Sequence, residues 1–332
     1  MVAVAHRPSP TEPARIVAPA TISVVICAYT LERWDDVARA IGSLRTQSRR
    51  PDQVVLVIDH NDEMLERAAD AFAAETAFPL DVVANTAGRG LSGARNTGIE
   101  WAWGEVVAFL DDDAAAGPNW VDGLLTAYAD PTVAGVGGGA TPDWGGEGAP
   151  AWFPEEFGWV VGCSYRGLPE TADEVRNFIG CNMSFRREVF WDVGGFTEGI
   201  GRVGRKPVGC EETEFCIRLR HRHPGARLVF DPELDVRHRV SPDRRAWRYF
   251  RSRCYSEGLS KAVVARNVGA GDGLASERAY TTRVLPGGVL RGLAAGLGGD
   301  TRGFRRAGAI VAGLALTSLG YLRGRLARPS LG

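Results

Sequence analysis

The sequence lacks an excess of charge of either sign. Its 39 Lys and Arg residues stand against 40 Asp and Glu residues, a net charge of −1. That removes any global electrostatic reason to expect nucleic acid or an anionic surface as partner. It also lacks paired cysteines. Cys27, Cys163, Cys181, Cys210, Cys216 and Cys254 are scattered, with no Cys-x-x-Cys pair, which argues against a zinc knuckle or dithiol motif. Scattered cysteines in mostly apolar surroundings suit a reducing cytoplasm. There is no internal repeat. Met1–Ala20 is rich in Pro and Ala and has no apolar core of signal-peptide length, so residues 1–20 are expected to be a disordered leader. No Gly-rich phosphate loop with a following Lys accompanies the first strand-like run, which weighs against a nucleotidyltransferase. What remains is ordinary globular material, 45% hydrophobic and 24% charged, long enough for one large domain or one domain with extensions.

The first 130 residues alternate between two patterns. Ile22–Ala28 and Gln53–Ile58 are apolar, β-branched runs that read as buried strands, and Leu80–Ala84 reads as a third. Trp34–Arg45 sets Trp34, Val37, Ala38, Ile41 and Leu44 at helical spacing. Glu63–Phe72 reads as a helix, as does the stretch from about Ala94 to Trp103 behind the loop Gly88–Gly93. Strand and helix alternate four times, which predicts a mostly parallel, doubly wound α/β sheet. The fourth strand ends in Phe109-Leu110-Asp111-Asp112-Asp113. Three adjacent carboxylates at the end of a buried strand repel one another and lose hydration, so something positive should compensate. A hard cation such as Mg²⁺ or Mn²⁺ meets that need, and the carboxyl ends of strands are where open α/β sheets bind ligands. The alternative is that the aspartates only turn the chain into the helix-like Asn119–Tyr128.

The next stretch changes character. Gly135–Gly148 is rich in glycine, and Trp144, Trp152, Phe153, Phe157 and Trp159 crowd together. Asn177–Phe185 reads as a strand and Gly194–Pro207 as a long mobile loop. Glu211–Arg220 reads as a helix that opens with acids, which its N-terminus favours. Leu228–Asp231 and Leu234–His238 are two short apolar or alternating pieces. Beyond Asp243 the chain is basic. Ala307–Leu322 is apolar apart from Thr317 and Ser318 and is flanked by arginines. It is shorter than the roughly 20 residues of a spanning helix, so a helix lying on a membrane surface is expected ahead of a spanning one, with a re-entrant segment or a packed helix as the alternatives.

Five of these stretches, in order and spacing, resemble the family 2 glycosyltransferases of GT-A fold over roughly residues 20–260. Ile22–Tyr29 is similar to the family's first strand, and Val54–Asp62 (VVLVIDHND) to its second strand and uridine-facing acidic turn. Gly90–Gly98 (GLSGARNTG) resembles the loop and helix before the metal strand. Phe109–Asp113 resembles the Asp-x-Asp element, and Gly209–Leu219 (GCEETEFCIRL) the acidic catalytic helix. The set also resembles a subgroup whose members act on lipid-linked sugars, including glucuronosyltransferases that use glucosyl dolichyl phosphate.

The resemblance implies a GT-A domain over 21–260, with a helical, membrane-associated extension over 261–332. It implies an inverting enzyme dependent on Mn²⁺ or Mg²⁺. The donor is a nucleotide-sugar, by implication UDP-linked, and the acceptor a glycan or polyprenyl-linked sugar. The place is the cytoplasm, peripheral at the inner face of the membrane. Asp111 would face the ribose and Asp113 would bind the metal. Asp112, in the middle position, points away in many relatives. His238 lies where related enzymes carry a metal-binding histidine. Asp59 would accept the uracil imide N–H, Arg89 and Arg95 would meet the diphosphate or the base, and Tyr29 would line the nucleotide pocket. Each also has a plain reading as a turn, strand-end or solvated loop residue. A general base is needed too, and Glu211 and Glu212 are its candidates. Adjacent helical residues point about 100° apart, so one alone can lead. The family's second acid is the base, which selects Glu212, although the family more often has Asp there. Glu214 reads as solvated, and Asn182 and Trp152 as donor or acceptor contacts or core residues. A nucleotidyltransferase and a non-catalytic sugar-binding protein are the competing functions.

Overall fold

The computed structural model describes residues 19–201, 209–267, 269 and 278–326. The expected leader lies outside them but for Pro19 and Ala20, and so does the end of the expected loop, from 202 onward. Parallel strands β1 (Ile22–Ala28), β2 (Gln53–Ile58), β3 (Leu80–Ala84) and β4 (Val106–Leu110) form one half of a nine-stranded sheet. Helices α1 (Trp34–Arg45), α2 (Asp62–Phe72) and α3 (Leu91–Trp101) connect them. The period-2 geometry of a strand explains the continuous apolar runs. Val24, Ile26, Leu56 and Ala108 face one core with Ile41 and Trp120, while Val25, Val55, Val107 and Phe109 face another with Phe185 and Phe215.

The other half is mixed. β5 (Ala114–Ala116) and α4 (Trp120–Ala127) lead into β6 (Val133–Asp143), followed by β7 (Asp173–Glu174), β8 (Asn182–Arg186), α5 (Glu188–Val193), α6 (Glu211–Arg222) and β9 (Arg227–Arg239). The order across the sheet is β3-β2-β1-β4-β8-β6-β9-β5, with β7 on β9. β8 runs antiparallel to both β4 and β6. Two features of this half were not visible in the sequence. The glycine-rich run is largely strand, because β6 lies too close to its neighbours for side chains: a Cβ on Gly138 would meet the Leu234 carbonyl at 1.8 Å. Leu228–Asp231 and Leu234–His238 form one strand, whose pairing with β6 shifts register on the way.

A third core joins the aromatic stretch to the C-terminal helices. Phe153, Phe157 and Val160 pack with Phe250 of α7 (Trp247–Asn267), Leu285 of α8 (Leu285–Leu297) and Ile310 of α9 (Arg302–Leu326). Glycines let α7 and α9 touch backbone to backbone: a Cβ on Gly258 would lie 2.0 Å from the Thr317 carbonyl. The apolar tail is therefore the middle of a 25-residue helix with one face packed. By length and composition α9 reaches what a membrane span needs, beyond the shorter run visible in the sequence.

Strand order reverses around β1, which has β2 on one side and β4 on the other. The turns after β1 and β4 thus meet at the carboxyl edge, where open α/β sheets leave a crevice.

Candidate active site

Asp111–Asp113 follow β4 directly and turn the chain into β5. The Ala114 N–H donates to the Asp111 carbonyl at 3.0 Å, and the Arg239 N–H to the Asp113 carbonyl at 2.8 Å. Because Ala114 pairs with His238 across β5 and β9, the imidazole comes to the acidic turn, with Nε2 3.1 Å from Asp113 Oδ1. Arg33, just past β1, reaches Asp112 Oδ1 at 2.7 Å and Asp113 Oδ2 at 3.1 Å, and Arg244 lies 3.5 Å from Asp113 Oδ2. Burial opposes the charge on Asp113, but His238, Arg244 and Arg33 hold its carboxyl well below the usual range. Burial lowers the affinity of His238 for a proton, but Asp113 outweighs it and raises the imidazole to about 10. Burial, and the two aspartates beside it, push Asp112 up to about 7 against the pull of Arg33.

Asp111, Asp113 and His238 each bring one ligand atom to within 4.8 Å of the others. Two carboxylates and an imidazole that yields its Nε2 proton when the ion binds are a donor set that Mn²⁺ or Mg²⁺ accepts. Asp112 Oδ2, beside them, is buried without a hydrogen-bond partner, which leaves room for a further positive group at the turn. The residues therefore fit a divalent cation.

Arg95 stands on α3 and is 1% exposed. Gly98 lets that helix lie against β1, since a Cβ there would sit 2.3 Å from Val25 Cγ1. The guanidinium donates to Glu211 Oε1 at 2.8 Å and to the Gly180 carbonyl at 2.8 Å, and lies 3.4 Å from Asp111 Oδ1. Burial works against its charge, yet Glu211 and Asp111 keep it firmly protonated. Glu211 is thereby held to Arg95. Glu212, one residue on, carries no ion pair among the described residues and lines, together with Glu211, a cavity of about 470 Å³, with the Thr213 hydroxyl 3.4 Å from Oε1. Burial and the neighbouring Glu211 push its carboxyl up to about 8.

That cavity is also lined by Arg95, Asp111 and His238. A smaller recess, about 70 Å³, is lined by Tyr29, Arg33, Asp59, Asp111 and Asp112. Asp111 lines both. The structure thus brings nine of the ten residues singled out in the sequence to two adjoining recesses or the acidic turn between them. Arg89 is the exception: it donates to the His60 carbonyl at 3.2 Å and lines neither. Asp59 carries structural duties as well, accepting from Asn85 Nδ2 at 2.7 Å and the Gly90 N–H at 3.0 Å.

One reading is corrected, for Glu214, and two that were open, for Asn182 and Trp152, fall on the core alternative. Glu214 is buried and bonds Arg218 Nε at 2.7 Å, because the acidic turn of α6 faces the sheet rather than solvent. Asn182 is spent inside the sheet: its amide donates to the Gly139 and Leu234 carbonyls, and its oxygen accepts from Trp120 Nε1. Trp152 packs on Phe153, Trp247 and Phe250 and lines neither recess. Sequence reasoning missed Arg33 and Arg244. A basic residue five positions past the first strand was a usable signal for Arg33, whereas Arg244 was hidden in a generally basic stretch.

Acids at the switch point of a half-parallel sheet, with a carboxylate-bearing helix across a cavity, are the arrangement expected of a glycosyltransferase of GT-A fold. The family model for glycosyl transferase family 2 matches residues 23–194, and the chain belongs to that family. It is 38% identical over 244 residues to the glucosyl-dolichyl phosphate glucuronosyltransferase of Haloferax volcanii, covering 73% of this chain and 77% of that one. Among solved structures, the mannosyltransferase PcManGT of Pyrobaculum calidifontis, in complex with GDP-Man and Mn²⁺, matches with a TM-score of 0.56 at 17% identity, over 94% of this chain and 90% of that one. GalNAc-T7 with UDP, GalNAc and Mn²⁺ matches at 0.51 and 19%, over 73% of this chain and 48% of that one. At those identities the structures speak for the fold.

Proposed function

We propose that this glycosyltransferase moves a sugar from a UDP-linked donor to a hydroxyl of a lipid-linked sugar, with inversion at the anomeric carbon, at the inner face of the membrane. One observation carries the reading: Asp111 forms part of both recesses, so a donor whose nucleotide lies beside Tyr29 and Asp59 would present its sugar to the cavity that holds Glu212. The Haloferax volcanii relative, named for a glucosyl-dolichyl phosphate substrate, supports the choice of a lipid-linked acceptor.

In the proposed reaction the acceptor oxygen forms a bond to the anomeric carbon as the bond to the diphosphate breaks. Attack opposite the leaving group inverts the centre, and Glu212 takes the acceptor proton. A carboxylate raised to about 8 is a stronger base than a solvated one, which suits that task near neutral pH. Asp111, Asp113 and His238 would hold a divalent cation, which when bound offsets the charge that grows on the diphosphate. Arg95 fixes Glu211 and Asp111 relative to each other and so positions both walls of the site.

The test is a screen of UDP-sugars, UDP-glucuronate among them, with a prenyl-phosphate-linked glucose in detergent. Free UDP and an inverted product are expected. Release of pyrophosphate, or retention at the anomeric centre, overturns the reading.

A further inference from the structure

On the far side of Glu212, α7 presents Arg253, Glu257 and Lys261 to the same cavity. The spacing of four puts them on one helix face. Glu257 takes Arg253 Nη1 at 2.8 Å and Lys261 Nζ at 3.3 Å, and it accepts from the Cys210 thiol just ahead of α6. Burial opposes its charge, but the two cations hold it down to about 2, so the trio is two cations and one anion. The trio therefore gives this wall one net positive charge. The Arg253 side chain is 11% exposed, and its Nε is buried without a hydrogen-bond partner.

The adjoining wall is of opposite character. Leu285 of α8 and Leu314, Tyr321 and Leu322 of α9 line it, with Thr317 and Ser318 of α9 as polar members. Leu322 is also 59% exposed, so the apolar lining continues to the outer face of α9, where Phe304, Val311, Leu319 and Leu326 stand at helical spacing. A ligand fitted to this half of the cavity carries one negative charge close to a long apolar chain.

We infer that Arg253 and Lys261 form the subsite for the phosphodiester of a prenyl-linked acceptor, whose chain leaves over Leu322. This deepens the proposed function and rests on it. A sugar phosphodiester carries a single negative charge, which matches the net charge of the trio on α7. An arginine that lines the cavity, beside a lysine on the same helix face, can bind such a group through charge-assisted hydrogen bonds.

The experiment compares two acceptors bearing the same glucose in detergent, one joined to a short prenyl chain through phosphate and one joined directly as a prenyl glucoside. The intact enzyme is expected to prefer the phosphodiester. Arg253→Gln should raise the KM for that acceptor on the order of 10–100-fold, since a bond to a charged group is lost, and should move the KM for the neutral glucoside little. The preference then collapses. Arg253→Lys should recover part of it. Lys261→Gln, at a more exposed position, should act in the same direction and guards against a folding defect at Arg253. A preference that survives both glutamine variants overturns the subsite and leaves the proposed function standing. A rise in donor KM with acceptor KM unchanged assigns the pair to the donor diphosphate and overturns it too. An intact enzyme that uses neither acceptor overturns the lipid-acceptor reading, and the subsite with it.

Discussion

Replacing Glu212 by Gln separates catalysis from stability in opposite directions. Gln keeps the size of the side chain and removes the proton acceptor. Loss of a general base costs on the order of 10²–10⁴ in rate, while donor binding should stay intact because the base acts in the transition state. The stability effect follows from the raised carboxyl, about 8 against an ordinary 4.5. A folded state that holds this proton more tightly than the unfolded chain loses stability as pH rises from 4.5 to 8. The full difference corresponds to a ceiling of about 5 kcal/mol, and water in the open cavity removes a large part of it. Glu212→Gln should therefore melt higher than the parent protein above pH 8, with the margin gone below pH 4.5. Glu211→Gln should do the reverse. It leaves Arg95, 2% exposed at its side chain, without its main counter-charge. Breaking a buried pair costs on the order of 3–5 kcal/mol, here toward the lower end because Asp111 and the Gly180 carbonyl remain. The assays are isothermal titration with UDP, single-turnover transfer, and melting curves from pH 4 to 9. Near-normal turnover in Glu212→Gln with a dead Glu211→Gln reverses the assignment. A parallel loss of stability in both variants refutes the electrostatic argument.

Three further outcomes are expected. Chelation by EDTA should abolish transfer, and Asp113→Asn should raise the Mn²⁺ or Mg²⁺ concentration for half-maximal rate at least about tenfold; full activity in EDTA sinks the metal reading. Asp59→Asn should weaken UDP on the order of tenfold by calorimetry while costing little in melting temperature, since the amide keeps one acceptor for Asn85 or Gly90; unchanged UDP affinity removes Asp59 from base recognition. Leu290→Glu with Leu293→Glu, both at exposed positions of α8, should reduce flotation with anionic liposomes while the core of the protein stays folded; equal partitioning of variant and parent would falsify membrane docking by this hairpin.

The parallel half of the sheet was legible because β1, β2 and β4 are short, apolar and buried on both faces, so burial alone sets the pattern there, while the edge strand β3 is only partly buried. The second half was not, and the reason is local. β6 satisfies its backbone between β8 and β9 at distances that exclude side chains, so Gly135, Gly137 and Gly138 look like loop residues although the chain there is extended. β9 bends where its pairing with β6 shifts register, and Pro232 and Glu233 split one strand into two fragments on paper.

At the site, the residues that carry charge at strand ends were visible, and their pairing was not. Nothing in the order of the chain says that Arg33 rather than Arg39 meets Asp112, or that Arg95 spends itself on Glu211. Those choices follow from the crossover of β1 and β4 and from glycines that let α3 lie against the sheet. The same holds for the tail. Its apolar run suggested a surface helix, yet α9 uses Gly313, Gly320 and Gly324 to pack on the core and α7, and so becomes a wall of the cavity that contains Glu212. If the cavity takes the acceptor as proposed, a helix that lines it with one face and offers leucines to the outside with another would join substrate entry to membrane contact. Loss of membrane docking should therefore raise the KM for a long-chain acceptor more than for a short-chain one in detergent. That relation holds only if the two faces of α9 serve one substrate.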